Sequence, residues 1–322
     1  MEIIESASRR NSSAIASIDI GGTKIAVGIV DSKGHVLVRG ETQIQVDKGP
    51  ENALTRIVEI LRAQTQQTGV AIAGIGIGCT GPVDPITGEL GDVNTLPNWQ
   101  GWNPVAGLSE AFGVSAALEN DADAAALGEA RWGAGKGRHS LISITVGTGI
   151  GAGIILNGEV YRGAGHAHPE IGHHIVEPSG PPCTCGASGC WESLAAGPAF
   201  EQWYAEQSSA QEFRTGKEIC RLAREGNPAA HRAVERLAYY LGLGMANVVS
   251  MFMPEMIALS GSVMRSADLL LDPIREIVLN KCRLVPASSC EIAVSSLGAD
   301  AGLIGAAQVW HSRFSRSFQE SL

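Results

Sequence analysis

The stretch "HHIVEPSGPPCTCGASGC", residues 173 to 190, gathers three of the seven cysteines of a 322-residue chain beside two of its eight histidines. Zinc takes four tetrahedral ligands, commonly thiolate sulfur and imidazole nitrogen. The C-x-C-x4-C spacing around two glycines supplies three thiolates on one tight loop, and His173, ten residues before Cys183, closes the set. With His173, Cys183, Cys185 and Cys190 all engaged, no coordination position stays open, so such a site is structural. The plainer alternative is three reduced thiols without metal. A pinned loop would hold Glu170 and Glu192 rigidly beside the ligands, suited to accept hydrogen bonds from a polyhydroxylated molecule. Otherwise they are two solvated acids. His174 is expected to point elsewhere, as a surface or hydrogen-bonding histidine.

Two glycine-rich turns could receive an anion. In "DIGGTK" Asp19 ends a strand, and Gly21 and Gly22 let backbone N–H groups face a phosphate with no Cβ in the way. Thr23 adds a hydroxyl and Lys24 a charge. The lysine is not followed by a serine or threonine opening a helix, so this is not a Walker loop. "VGTGIGAG", 146 to 153, has the same character through Gly147, Thr148, Gly149 and Gly151. Two such turns, each after a strand, suggest a bound polyphosphate; the alternative is two closely packed β-turns. In "LENDADAAALGEARWG" a strand gives way to a helix capped by Asn120 or Asp121. Ligands of α/β folds sit at such junctions, and an aspartate there can take the proton of a hydroxyl attacking a phosphoryl group.

The elements that must position these residues read as α/β. "AIASIDI", "KIAVGIVD" and "HVLVR" form a meander, "ENALTRIVEILRAQTQQ" an amphipathic helix, and "VAIAGIGIG" a buried strand. "SIDIGGTKIAVGIV" laid on "SITVGTGIGAGIIL" matches at Ser, Ile, Gly, Ala and Ile, as if one unit occurred twice. Helices around 215–225, 228–252 and 263–279 alternate with the strands "MIALSG" and "CEIAVSS", and a last helix from about 301 is expected to pack back on the first lobe. The hinge is expected near Asp121.

A formal net charge of −9 lacks the basic footprint of a nucleic-acid binder. No stretch reads as a signal peptide or membrane span, which points to a cytoplasmic protein. Cys79, Cys220, Cys282 and Cys290 are scattered as buried thiols are, so a disulfide framework is not expected.

In this order and spacing, "DIGGTK", "GCTGPVD", "LENDADAAALGE", "VGTGIGAGI", "EIGH" with "CTCGASGCWE", and "LSGSV" resemble the ROK family of sugar kinases, within the actin-like ATPase superfamily, from Ile15 to about Trp310. The resemblance implies two ribonuclease-H-like α/β lobes with a central cleft and a zinc-pinned loop in the second. Residues 14–120 plus 300–322 would make a smaller N-terminal lobe and 121–299 a larger one. It implies Asp121 as catalytic base, with Asn120, Glu170, His173 and Glu192 on the sugar. Gly21, Gly22, Thr23, Lys24, Thr148 and Gly149 would face the phosphates. Asp19 would organise Mg2+, Gly261 in "SGSV" would lie beside the adenosine, and His173 with the three cysteines would hold structural Zn2+.

The activity implied is ATP-dependent phosphorylation of an aldohexose at its 6-hydroxyl by a homodimer. Glucose comes first, with N-acetylmannosamine, N-acetylglucosamine or fructose as alternatives and polyphosphate as a second donor. His168-Pro169 departs from the small residue expected before Glu170 and leaves the sugar open. The tryptophan-rich "GDVNTLPNWQGWN" is expected near it. The family also contains sugar-responsive repressors, but the fourteen or so residues before the first strand are too few for a helix-turn-helix.

Overall fold

The computed structural model describes residues 14–208 and 213–315. The segment before Ala14 and the end of the 300–322 stretch lie outside the described residues. The chain forms two compact units: one runs to Gly137 and adds Gly158–His168 and the chain from Ser296, the other comprises Arg138–Asn157 and Pro169–Ser295.

In the first unit β1 (Ala14–Ile20), β2 (Lys24–Val30) and β3 (Val36–Gln43) form the expected antiparallel meander. After α1 (Pro50–Thr68), β4 (Ile72–Cys79) pairs parallel with β1. A small ribbon of β5 (Val83–Asp84) and β6 (Glu89–Leu90), then α2 (Pro104–Phe112), lead to β7 (Ser115–Asn120), parallel to β4. The sheet order is β3-β2-β1-β4-β7. Helix α3 (Asp121–Trp132) and the last helix, α9 (Ala301–Phe314), complete the unit; the short strand β10 (Glu159–Val160), at the start of the 158–168 stretch, is an edge strand of the other sheet.

The alternation in "AGIGIGC" decides which helix lies on which face. Ile75 and Ile77 are fully buried with Ile18, Ile20, Ile57 and Leu61 in a core under α1. Gly74, Gly76 and Gly78 occupy the opposite face. A Cβ on Gly76 would lie 1.7 Å from the Ala306 carbonyl oxygen, so α9 rests directly on the strand backbone. The same device joins α9 to α3, where a Cβ on Gly305 would come within 2.3 Å of the Ala124 carbonyl oxygen. This contact corrects the expected division at Asp121. Helix α3 is locked to α9, so it belongs to the first unit together with 158–168, and that unit is the larger of the two.

In the second unit β8 (Leu141–Val146) and β9 (Ile150–Leu156) are antiparallel, and β11 (Met256–Ser260) pairs parallel with both β8 and β12 (Glu291–Val294). Strands β9-β8-β11 thus repeat the pattern of β2-β1-β4, in line with the internal match. Helices α4 (Trp191–Ala195), α5 (Gly197–Gln207), α6 (Gly216–Arg224), α7 (Pro228–Phe252) and α8 (Ala267–Lys281) cover the sheet. Trp191 is wholly buried, donates from Nε1 to the Tyr240 carbonyl at 2.8 Å, and fits because residue 244 of α7 is glycine. The residue after Cys190 therefore anchors the cysteine loop in the core.

Candidate active site

In the first unit the Asp19 and Asp121 carboxylates lie at the strand tips. Asp19 is the next-to-last residue of β1, in register with Gly78, and a Cβ at Gly78 would lie 3.7 Å from the Asp121 Cα. The tighter contact of such a Cβ would be with the Ala124 Cβ, at 3.3 Å, so α3 packs closely on β4 here. Asn120 is the N-cap, its side chain accepting from the backbone N–H of Ala122 at 2.9 Å and, more weakly, of Asp123. Asp121 is then the first residue of the helix, partly exposed, where the positive end of the helix favours an anion.

Burial and, next, the Asp121 charge push the Asp19 carboxyl up to about 6, with Lys24 pulling the other way. Two mutually repelling carboxylates at one edge fit a divalent cation, whose charge would relieve both. Asp19 would be its partner, which suits the Mg2+ role. Gly21 and Gly22 turn the chain beside Thr95, while the exposed Lys24 pairs with Glu41 at 2.8 Å. Cys79 is fully buried next to this pair, and burial, then Asp121 and Asp19, raise it far enough to stay a thiol.

In the second unit the His173, Cys183, Cys185 and Cys190 ligand atoms all lie within 4.8 Å of one another. Cys183 Sγ is 3.4 Å from His173 Nδ1 and Cys185 Sγ 3.6 Å from Cys190 Sγ. Bonds of about 2.3 Å in a tetrahedron put sulfurs about 3.8 Å apart, so the four donors fit zinc. His173 turns its other nitrogen, Nε2, toward Glu192, 4.0 Å away. Glu192 Oε2 in turn accepts from the Ile150 N–H at 2.9 Å, and it would be 2.4 Å from a Cβ on Gly149. Zinc ligand, carboxylate and glycine turn thus form one continuous chain of contacts. Glu170, just before the turn of His173, is exposed, and His174 is half-buried with Nδ1 bonded to the Ile171 carbonyl.

Beyond Gly149 the unit holds a cavity of about 540 Å³, lined by Gly197, Phe200, Glu201, Thr215, Gly216, Lys217, Cys220, Arg224, Ser262, Val263, Arg265 and Ser266. Gly197 N donates to the Gly147 carbonyl at 2.8 Å. Gly261, with φ 94°, presses on the Val146 carbonyl where any side chain would clash. The glycine turn and the "SGSV" turn therefore meet at this cavity, whose size suits a nucleoside. Sequence reasoning missed its far wall, Phe200, Thr215, Lys217, Arg224 and Arg265. The one signal for it was the capping box of Thr215 and Glu218 opening α6.

The tryptophan-rich loop serves the core instead of presenting rings to a ligand. Trp99 and Trp102 are 1% and 8% exposed and meet edge to face. Cys79, Cys220, Cys282 and Cys290 are buried free thiols, as expected.

Because Cys185 is exposed, Cys185→Ser removes a metal ligand with little loss of packing. We expect bound zinc, measured by mass spectrometry of the metal, to fall well below one per chain. The KM for sugar should rise by about tenfold or more, as loosening a ligand set commonly does. Full zinc content with unchanged KM would remove the loop from the sugar site.

The model of the ROK family matches residues 15–313. The chain is 34% identical to a glucokinase of Streptomyces coelicolor, covering 91% of this chain and 96% of that protein. It resembles the crystal structure of a ROK hexokinase from Thermus thermophilus at TM-score 0.79 and 35% identity, covering 92% and 97%. It also resembles a Streptomyces griseus ROK glucokinase solved with glucose and AMPPNP, at TM-score 0.76 and 32% identity, covering 92% and 99%. A xylose repressor of Bacillus subtilis is similar at 28% identity, over 91% of this chain and 75% of the repressor. With nearly its whole described length matched, the chain belongs to the ROK family.

Proposed function

We propose that this protein is a sugar kinase that transfers the γ-phosphoryl group of ATP to the 6-hydroxyl of glucose. The observation that carries the reading is the pair Asp19 and Asp121 at the strand tips of the first unit, brought to one edge by the register of β1 with β4 and of β4 with β7. A binding protein gains nothing from forcing two carboxylates together, whereas a phosphoryl transferase needs both a base and a partner for the metal. Glucokinase relatives at 30–34% identity support the acceptor, and the glucose and AMPPNP complex of a relative supports the donor.

In this reading Asp121 accepts the proton of the 6-hydroxyl as its oxygen bonds to the γ-phosphorus and the bond to the β-phosphate bridging oxygen breaks, releasing ADP. Asn120 fixes the start of α3 and contacts the same sugar. Glu170, Glu192 and His173 Nε2 receive the remaining hydroxyls. Gly21, Gly22, Thr23, Thr148 and Gly149 give N–H and hydroxyl donors to the phosphates, and Gly261 opens the cavity to the adenosine. Mg2+ near Asp19 supplies charge neutralisation on the phosphates, and Zn2+ on His173 and the three cysteines supplies rigidity. Lys24 remains a phosphate candidate only if it leaves Glu41.

We place the protein in the cytoplasm as a homodimer. Its seven cysteines are all unpaired, and no described helix is long and apolar enough to cross a membrane. The repressor reading keeps the sugar site but has no use for the nucleoside-sized cavity.

The test is ADP release from Mg·ATP with glucose, mannose, fructose, N-acetylmannosamine and N-acetylglucosamine. Glucose is expected to have the highest kcat/KM by at least about tenfold, roughly what a few differing hydrogen bonds to an acceptor provide. Preference for another sugar would correct the substrate; sugar binding without any turnover would move the protein to the sensors.

A further inference from the structure

After Asn157 the chain pairs back on β9 through the short strand β10, runs with the first unit as far as His168, and continues in the second at Pro169. Two side chains fasten this strap. Arg162 donates to Glu119, the next-to-last residue of β7 and only 3% exposed. His168 Nδ1 lies 2.9 Å from Oδ2 of Asp123, in the first turn of α3 and 1% exposed. A carboxylate only accepts, so Nδ1 is the donor. Glu119 and Asp123 flank Asn120 and Asp121 in sequence, so the strap is tied down on both sides of the candidate base.

Stability is a poor reason for this arrangement. Buried ion pairs seldom outperform apolar packing, and here Asp123 Oδ1 and Arg162 Nε remain buried without a hydrogen-bond partner in the protein. What the strap does determine is where the chain sets out toward Glu170. Pro169 has a fixed φ, and two residues span at most about 7 Å, so an anchored His168 restricts Glu170 to a small volume. Unfastened, the strap would leave that carboxylate held from one side only, through the turn in which the His173 N–H donates to the Glu170 carbonyl.

We propose that Arg162 and His168 are positioning residues for the acceptor sugar, holding the strap against Glu119 and Asp123 so that Glu170 is presented in a fixed place. The inference rests on the reading of Asp121 as base and Glu170 as sugar ligand. It also assigns a purpose to His168-Pro169: the histidine is a tether, bonded to Asp123.

Steady-state kinetics on the full-length, zinc-loaded protein, with glucose and ATP varied independently, tests this. His168→Ala is expected to raise the KM for glucose about tenfold, within the range a misplaced contact costs, and to leave the KM for ATP within about twofold. Asp123→Leu, which is close in size and cannot accept a hydrogen bond, should do the same, and the double variant should be no worse than His168→Ala alone. His168→Asn, whose amide nitrogen can reach the position of Nδ1, should restore most of the affinity. An unmoved glucose KM in both single variants, additive effects, or a parallel rise in both KM values would overturn the proposal. If His168→Ala does not fold, Asp123→Leu carries the same expectation. Asp121→Asn runs alongside: turnover surviving in it would sink the reading of the site, whereas an inert Asp121→Asn with an unmoved glucose KM in His168→Ala would sink the strap alone.

Discussion

Asp121→Asn is expected to lower kcat by about a thousandfold while glucose still binds with nearly its parental affinity. A positioned base contributes roughly a hundred- to ten-thousandfold, and asparagine is close in size but cannot accept the proton. The substitution isolates chemistry because the helix start keeps its partners: the Asp121 carboxylate accepts from the Ala122 N–H at 2.8 Å, and the amide oxygen of an asparagine can accept there in its place. The N-cap of α3 is Asn120, whose side chain bonds the Ala122 and Asp123 N–H groups whatever stands at 121. Substitution at 121 also leaves Gly78 and Gly305, the close approaches that seat α3, untouched. Turnover by ADP release and glucose affinity by calorimetry check the two halves separately. Retention of more than about a tenth of the parental kcat would show that another group takes the proton.

Most of this site was readable because its residues are local in sequence. The zinc set spans one loop, the glycine turns are contiguous, and Asn120 and Asp121 are neighbours, so spacing alone named them. What spacing could not give is which residues distant in sequence share a face. The unit boundary was misplaced because α3 owes its place to α9, some 180 residues away, through Gly305 and the Ala124 carbonyl. "GIGIG" read only as a buried strand, although its glycines are what admit α9 onto the sheet. The tryptophan-rich loop is expected near the sugar from its composition alone, and spacing does not give the destination of its rings: Trp99 and Trp102 bury them in the α1 core. His168 looked like a substitution beside the sugar ligands, and only the structure reveals its bond to Asp123.

Asp19→Asn is expected to make the protein more stable and far less active. Burial and the neighbouring Asp121 raise the Asp19 carboxyl from 3.8 to about 6, so between those values the folded state holds a proton that the unfolded chain has released. A raised acid therefore destabilises the fold as pH climbs through that window. The penalty is small near pH 4 and complete above about pH 7. Allowing for the partial exposure of Asp19, it amounts to about 1–2 kcal/mol. A neutral asparagine escapes it. Without nucleotide or Mg2+, urea unfolding should give Asp19→Asn the higher stability at pH 7.5 and near equality with the parent at pH 4. The same substitution removes the carboxylate proposed to meet the metal, and kcat/KM for Mg·ATP should fall at least about a hundredfold, as losing charge stabilisation of transferring phosphates does. Lower stability at pH 7.5 would mean that Asp19 is held by favourable partners and is not strained. Full activity would take it out of the metal site. The two measurements together distinguish a carboxylate kept for function at the expense of the fold from one that merely closes a strand.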